Sequence, residues 1–116
     1  MLQLGLKTST SYEVLDSVRR IMKDSWVLKE VRMDYNTRKL PDWNNIETYP
    51  VTLVFDDNGC KFEIKIISLS VGYGGSGPTD FAEMLNFFGI SYDESDIFTK
   101  RRMGDDGWIR LRYTVG

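Results

Sequence analysis

The octapeptide Val71-Gly72-Tyr73-Gly74-Gly75-Ser76-Gly77-Pro78 holds four of the chain's ten glycines. An apolar, β-rich run from Phe62 to Val71 leads into it. A short amphipathic helix pattern over 78–88 leads out, with Phe81, Met84, Leu85 and Phe88 on its buried face. Gly72, Gly74 and Gly77 satisfy G-x-G-x-x-G, with a strand before and a helix after. A dinucleotide loop would demand a doubly wound parallel fold, and three features decide against it. The preceding strand alternates polar and apolar residues, whereas the strand that carries such a loop is buried on both faces. The helix is short, and 116 residues cannot hold two mononucleotide-binding halves. Asp96 stands near the distance expected of a ribose-binding carboxylate, but within an acidic cluster. No Gly-Lys-Ser/Thr follows, so a P-loop is excluded.

A looser anion site fits the same residues. Amides of Gly72, Gly74, Gly75 and Gly77 can turn toward a phosphate, Ser76 can donate its hydroxyl, and Tyr73 offers a face to a base. Left-handed glycines would make Gly74 and Gly75 intolerant of valine. Arg110 and Arg112, with Arg101 or Arg102, would supply the cation if the last strand neighbours the loop. Asp80, in the first turn of the helix, opposes an anion there. The competing reading is a tight strand-to-helix turn with Pro78 at the first helical position.

Upstream, Tyr49, Val51, Leu53 and Phe55 alternate with Pro50, Thr52, Val54 and Asp56, a strand with one apolar face. Asn58-Gly59 favours a type I′ hairpin. The next strand starts at Cys60 with Phe62, Ile64 and Ile66 on one side and Lys61, Glu63 and Lys65 on the other. Leu69 and Val71 then take over the apolar positions, and this change of parity predicts a bulge near Ile67-Ser68. Downstream, Gly89 is placed to end the helix in a left-handed cap. Residues 91–98 are acidic and aromatic, with room for one helical turn. Ile109, Leu111, Tyr113 and Val115 alternate with Trp108, Arg110, Arg112 and Thr114 in a last strand.

At the N-terminal end, residues 2–7 allow a short strand. Thr10 and Glu13 fit a capping box, followed by Val14, Leu15, Val18, Ile21 and Met22 at helical spacing over 11–24. Trp26 to Met33 has strand composition. Residues 34–48 combine turn formers with Leu40, Trp43 and Ile46, a long connection of the kind that serves as a lid or binding loop. The elements predict one α+β domain over 1–116. Its mainly antiparallel sheet would have four or five strands, with two helices packed on one face.

Composition narrows the chemistry. The net charge is −2, which argues against a dedicated duplex-DNA binder. There is no histidine, so Ser-His-Asp and Cys-His sites and the usual zinc sets are excluded. Cys60 is the only cysteine and reads as a packing residue. Asp93, Glu94, Asp96, Asp105 and Asp106 do not match a calcium loop. The start of the chain is too short and polar for a signal peptide, and no run spans a membrane, which predicts a cytoplasmic protein.

The expectation is therefore a small non-catalytic protein that senses or sequesters a nucleotide or other phosphate-bearing small molecule at residues 72–78, without a cofactor or metal. A homodimer would cover a sheet edge. The alternative is a protein-interaction module or inhibitor acting through Leu40, Trp43 and Ile46 of the 34–48 loop, or through an edge strand. A weaker third reading is RNA binding by Lys100-Arg101-Arg102 with Arg110 and Arg112.

Overall fold

The computed structural model describes residues 1–115. Among the described residues, five strands form one sheet: β1 (Leu2–Leu6), β2 (Trp26–Asn36), β3 (Val51–Asp57), β4 (Cys60–Ile66) and β5 (Trp108–Thr114). Their order is β1-β4-β3-β2-β5, with β1 parallel to β4 and every other pair antiparallel. The helices are α1 (Glu13–Ile21), α2 (Ser76–Phe87) and α3 (Glu94–Phe98). A 3-10 turn at Ile46–Thr48 lies in the long loop. The class is α+β with a mostly antiparallel sheet, as the alternation in the sequence predicts.

Strand registry explains the burial. Phe62, Phe55 and Leu28 share one row, Ile64, Leu53 and Val31 the next, and Ile66, Val51 and Met33 a third. All nine are buried on a single face. Phe55 stacks on Phe62 and meets Trp26 and Phe88, the C-cap of α2, at ring-centroid distances of 5.6, 5.4 and 6.3 Å. Phe81 of α2 meets Tyr113 at 6.3 Å. Val14 and Val18, the buried residues of α1, join the same core. The opposite face is polar. There Arg32 bridges Glu30 at 2.7 Å and the buried Glu63 at 2.9 Å, and Gln3 donates to the other oxygen of Glu63.

The local devices divide. Asn58 and Gly59 have φ of 51° and 90°, the two left-handed residues of a type I′ hairpin. Gly89 has φ of 71°. Its amide donates to Asn86 and that of Ile90 to Leu85, the paired bonds of a Schellman cap.

Other expectations are corrected. The Thr10–Glu13 capping box does not form: α1 starts at Glu13, too late for that glutamate to stand at the third position. Residues 8–11 are held elsewhere, because Thr8 donates to Ser68 and Ser11 to Asp80. The helix also ends three residues early, at Ile21, because Met22 turns extended. No bulge occurs at Ile67-Ser68. The β4 ladder stops at Ile66, and the parity change marks the chain leaving the sheet, with the Ser68 hydroxyl bonded to the Thr8 carbonyl. The sheet's irregularity lies in β2, between Leu28 and Glu30.

β2 itself runs to Asn36, past the turn formers Asp34 and Asn36. Pairing of residues 34–36 with Arg110, Ile109 and Trp108 overrides their local preference. The long loop therefore starts at residue 37. Finally, α2 starts at Ser76, so Pro78 is its third residue rather than its first, and Asp80 falls in the second turn. Proline is tolerated there because amides of the first turn have no intrahelical acceptor.

Candidate functional site

After Ile66 the chain crosses the end of the sheet toward β2 and β5. Gly72 makes the crossing, with φ of 96°. Its amide donates to the Ile97 carbonyl at 2.7 Å, and a Cβ on it would lie 2.7 Å from Ile109 Cδ1. This is the only left-handed glycine of the four. Gly74 faces open space. Gly75 is extended, with φ of 176°, and a Cβ there would meet the Tyr73 ring at 2.7 Å. Gly77 is buried against Ser70, where a Cβ would come within 2.0 Å of Oγ. The Ser70 and Tyr73 hydroxyls are 2.7 Å apart. Thus Gly75 and Gly77 make room for the Tyr73–Ser70 pair, and Gly72 alone needs its glycine for backbone conformation.

Gly75 is the N-cap of α2 and offers no capping side chain. Helix geometry leaves the amides of Ser76 and Gly77 without an intrahelical acceptor, and the helix dipole adds partial positive charge at that end. These residues line a hollow of about 290 Å³ together with Thr8, Ser9, Thr10, Ser11, Ser68, Ser70, Tyr73 and Trp43. Lys7 Nζ stands over the Trp43 ring at 5.9 Å. Asp80 accepts the hydroxyl of Ser11, a residue of the same lining, so one carboxylate stands beside the hollow. The Tyr35 phenol is pushed up, first by burial and then by the neighbouring Tyr73.

The structure brings together Tyr73, Ser76 and Gly77 of the glycine loop with Trp43 of the long loop. It does not bring Arg110 and Arg112 to them. β5 pairs with β2, and β2 and β3 both stand between it and β4. The two arginines alternate with the core residues Ile109 and Leu111, so they project from the polar face. There Arg112 binds Asp34 at 2.8 Å, and Arg110 lies over the Trp108 ring at 5.0 Å. The cation nearest the hollow along the chain is Lys7, next to Thr8. The hydroxyl run Thr8-Ser9-Thr10-Ser11 and the pair Ser68 and Ser70 join the site without having been read as part of it. Their signal is four consecutive hydroxyl residues, which also serve as helix-start residues.

The long loop is wired internally. Thr48 Oγ1 accepts from the Asp42 amide at 2.7 Å and donates to the Asn45 carbonyl at 2.7 Å, and the Tyr49 hydroxyl donates to the Trp43 carbonyl. Ile46 and Tyr49 pack over Gly5 of β1, where a Cβ would lie 3.3 Å from Ile46 Cδ1. Ile46 is therefore partly packed inward, while Leu40 is 83% exposed and Trp43 48%. A second hollow of about 330 Å³ lies under this loop, between Pro41, Thr48, Pro50 and Trp108.

Among the described residues, no group of three or more Cys, Asp or Glu residues is placed to hold a metal ion. No helix there is long and apolar enough to cross a membrane. No protein-family model, no curated protein and no solved structure matches the chain.

Proposed function

We propose that this chain is a non-catalytic binding protein that takes a phosphate-bearing small molecule, with nucleotides the favoured class, at the start of α2. One observation carries the reading. Ser76 and Gly77, whose amides have no intrahelical acceptor, line a hollow together with serine and threonine residues, with Trp43 and Tyr73 among its walls. Backbone amides at a helix N-terminus suit phosphate oxygens, and aromatic faces suit a base. Cys60 is exposed and unpaired, not the packing residue its sequence setting suggests, and a free exposed thiol suits a reducing, cytoplasmic setting.

The test is a thermal-shift panel of inorganic phosphate and mono-, di- and cyclic nucleotides, run with Ser76→Pro. Proline is well accommodated at a first helical position, and the extended Gly75 before it lies outside the α region that a following proline disfavours. The variant removes one amide and one hydroxyl while leaving the fold intact. A ligand at roughly 100 times its dissociation constant should stabilise the native chain by about 2.7 kcal/mol. Ser76→Pro should lose most of that response with an unchanged ligand-free melt. A flat panel overturns the reading, as does a response that Ser76→Pro retains.

A second reading, association through an edge strand, is favoured by β1. Residues 2–6 carry no charge, and Leu2 and Leu4 are 62% and 42% exposed beside Trp26 and Phe62. Uncharged, unblunted edges pair readily, so a second copy adding across β1 would give a dimer. Sedimentation velocity should then show a dimer that Leu4→Glu converts to monomer. A native monomer at high concentration contradicts this.

A further inference from the structure

The free edge of β5 has a definite polarity, which two backbone bonds establish. The Thr37 amide donates to the Gly107 carbonyl, and the Val115 amide to the Lys29 carbonyl, both at 2.9 Å. Both pairs keep the β2–β5 registry, in which Val31 stands opposite Tyr113 and Met33 opposite Leu111. Backbone groups of successive residues point to opposite sides of a strand. Gly107, Ile109, Leu111, Tyr113 and Val115 therefore turn their amides and carbonyls toward β2. Arg112 and Thr114 turn theirs outward, as does the Arg110 carbonyl. The Met103–Ile109 bridge covers only the start of this edge.

Two of the three residues with outward backbone groups, Arg110 and Arg112, also carry charge. Arg110 and Arg112 lie beside Arg102 and Asp96 in a hollow of about 270 Å³ along the strand. Arg112 is engaged by Asp34 and by backbone carbonyls. Arg110 is 3.8 Å from Asp106, beyond hydrogen-bond reach, and has no other ion pair among the described residues. Arg102 uses only Nε, toward Asp96. Arg101 shares Asp96 and binds Asp93. The terminal nitrogens of Arg102 and the whole guanidinium of Arg110 keep unspent donors aimed at solvent beside an unpaired edge.

We propose that this edge accepts an acidic, extended segment of a partner protein as a short sixth strand. Its backbone would bond Arg112 and Thr114, and its carboxylates would meet Arg102 and Arg110. A second copy of β5 is disfavoured, because antiparallel self-pairing would set these arginines against one another. The proposal concerns a surface separate from the α2 hollow and stands without that reading.

The probe is an acetylated, amidated, fluorescein-labelled heptapeptide alternating valine and glutamate, titrated with the full chain by anisotropy at low salt. It should bind, and the same peptide with lysine for glutamate should bind at least about tenfold more weakly. N-methylation of alternate residues on the edge-facing side should abolish binding. Arg102→Glu and Arg110→Glu should each weaken it about tenfold, and Arg110→Glu, half exposed and 3.8 Å from its nearest carboxylate, should do so without lowering the melting temperature. In the complex, the Arg112 and Thr114 amides should gain protection from hydrogen exchange. Absence of binding, indifference to N-methylation, or equal affinity for the lysine peptide overturns the proposal. So does tighter, arginine-dependent binding of a uridine oligonucleotide, which would make the patch a nucleic-acid surface.

Discussion

Gly72→Val is expected to lower the unfolding free energy by about 2–6 kcal/mol, the sum of a strained backbone and an overpacked core. The backbone at φ of 96° disfavours any L side chain. A Cβ would also lie 2.7 Å from the Cδ1 of Ile109, a fully buried residue on β5. Relief would require moving either Ile109 or the crossing itself, which is pinned by the Gly72 amide on Ile97. Gly74→Val is the matched control, because a Cβ there meets nothing within 4 Å and its φ is not left-handed. Urea unfolding of the two variants separates the explanations. Equal loss in both would mean that the loop is sensitive throughout, and that the crossing has no special role.

Phe55→Ala should cost about 3–5 kcal/mol, the range for emptying a buried aromatic site. Phe55 is fully buried and lies among Phe62, Trp26 and Phe88. It therefore joins three strands to the end of α2, and its neighbours cannot all close on the vacancy. The melting temperature should fall by roughly 12–20 °C for a chain of this size. A loss below about 1 kcal/mol would mean that the sheet and α2 pack around some other centre.

The strands were legible because each depends on a local pattern. The alternation in β3, β4 and β5, the Asn58-Gly59 turn and the Gly89 cap are short-range signals with one physical meaning each. The features that were not legible depend on distant partners. Asp34 and Asn36 read as turn residues, and only pairing with Arg110 and Trp108 makes them strand. Thr10 and Glu13 read as a cap, and only the anchoring of Thr8 to Ser68 and Ser11 to Asp80 moves the helix start.

The candidate site divides in the same way. The glycine loop and the helix behind it stand out in sequence. Their neighbours do not, because sheet order decides them. With β5 beyond β3 and β2, Arg110 and Arg112 stand away from β4 and the loop that follows it, on the face opposite Ile109 and Leu111. The return of the long loop brings Trp43 to Tyr73, although thirty residues separate them in sequence. Two stretches read as competing surfaces thus meet in one hollow.

The most direct test of the phosphate reading is a two-dimensional amide NMR titration with inorganic phosphate and then a nucleoside monophosphate. The amides of Ser76 and Gly77 should move furthest, with those of Thr8 to Ser11 following and the Trp43 indole responding to the nucleoside alone. Unmoved amides at the start of α2, or shifts centred on Arg110 and Arg112 instead, would contradict it.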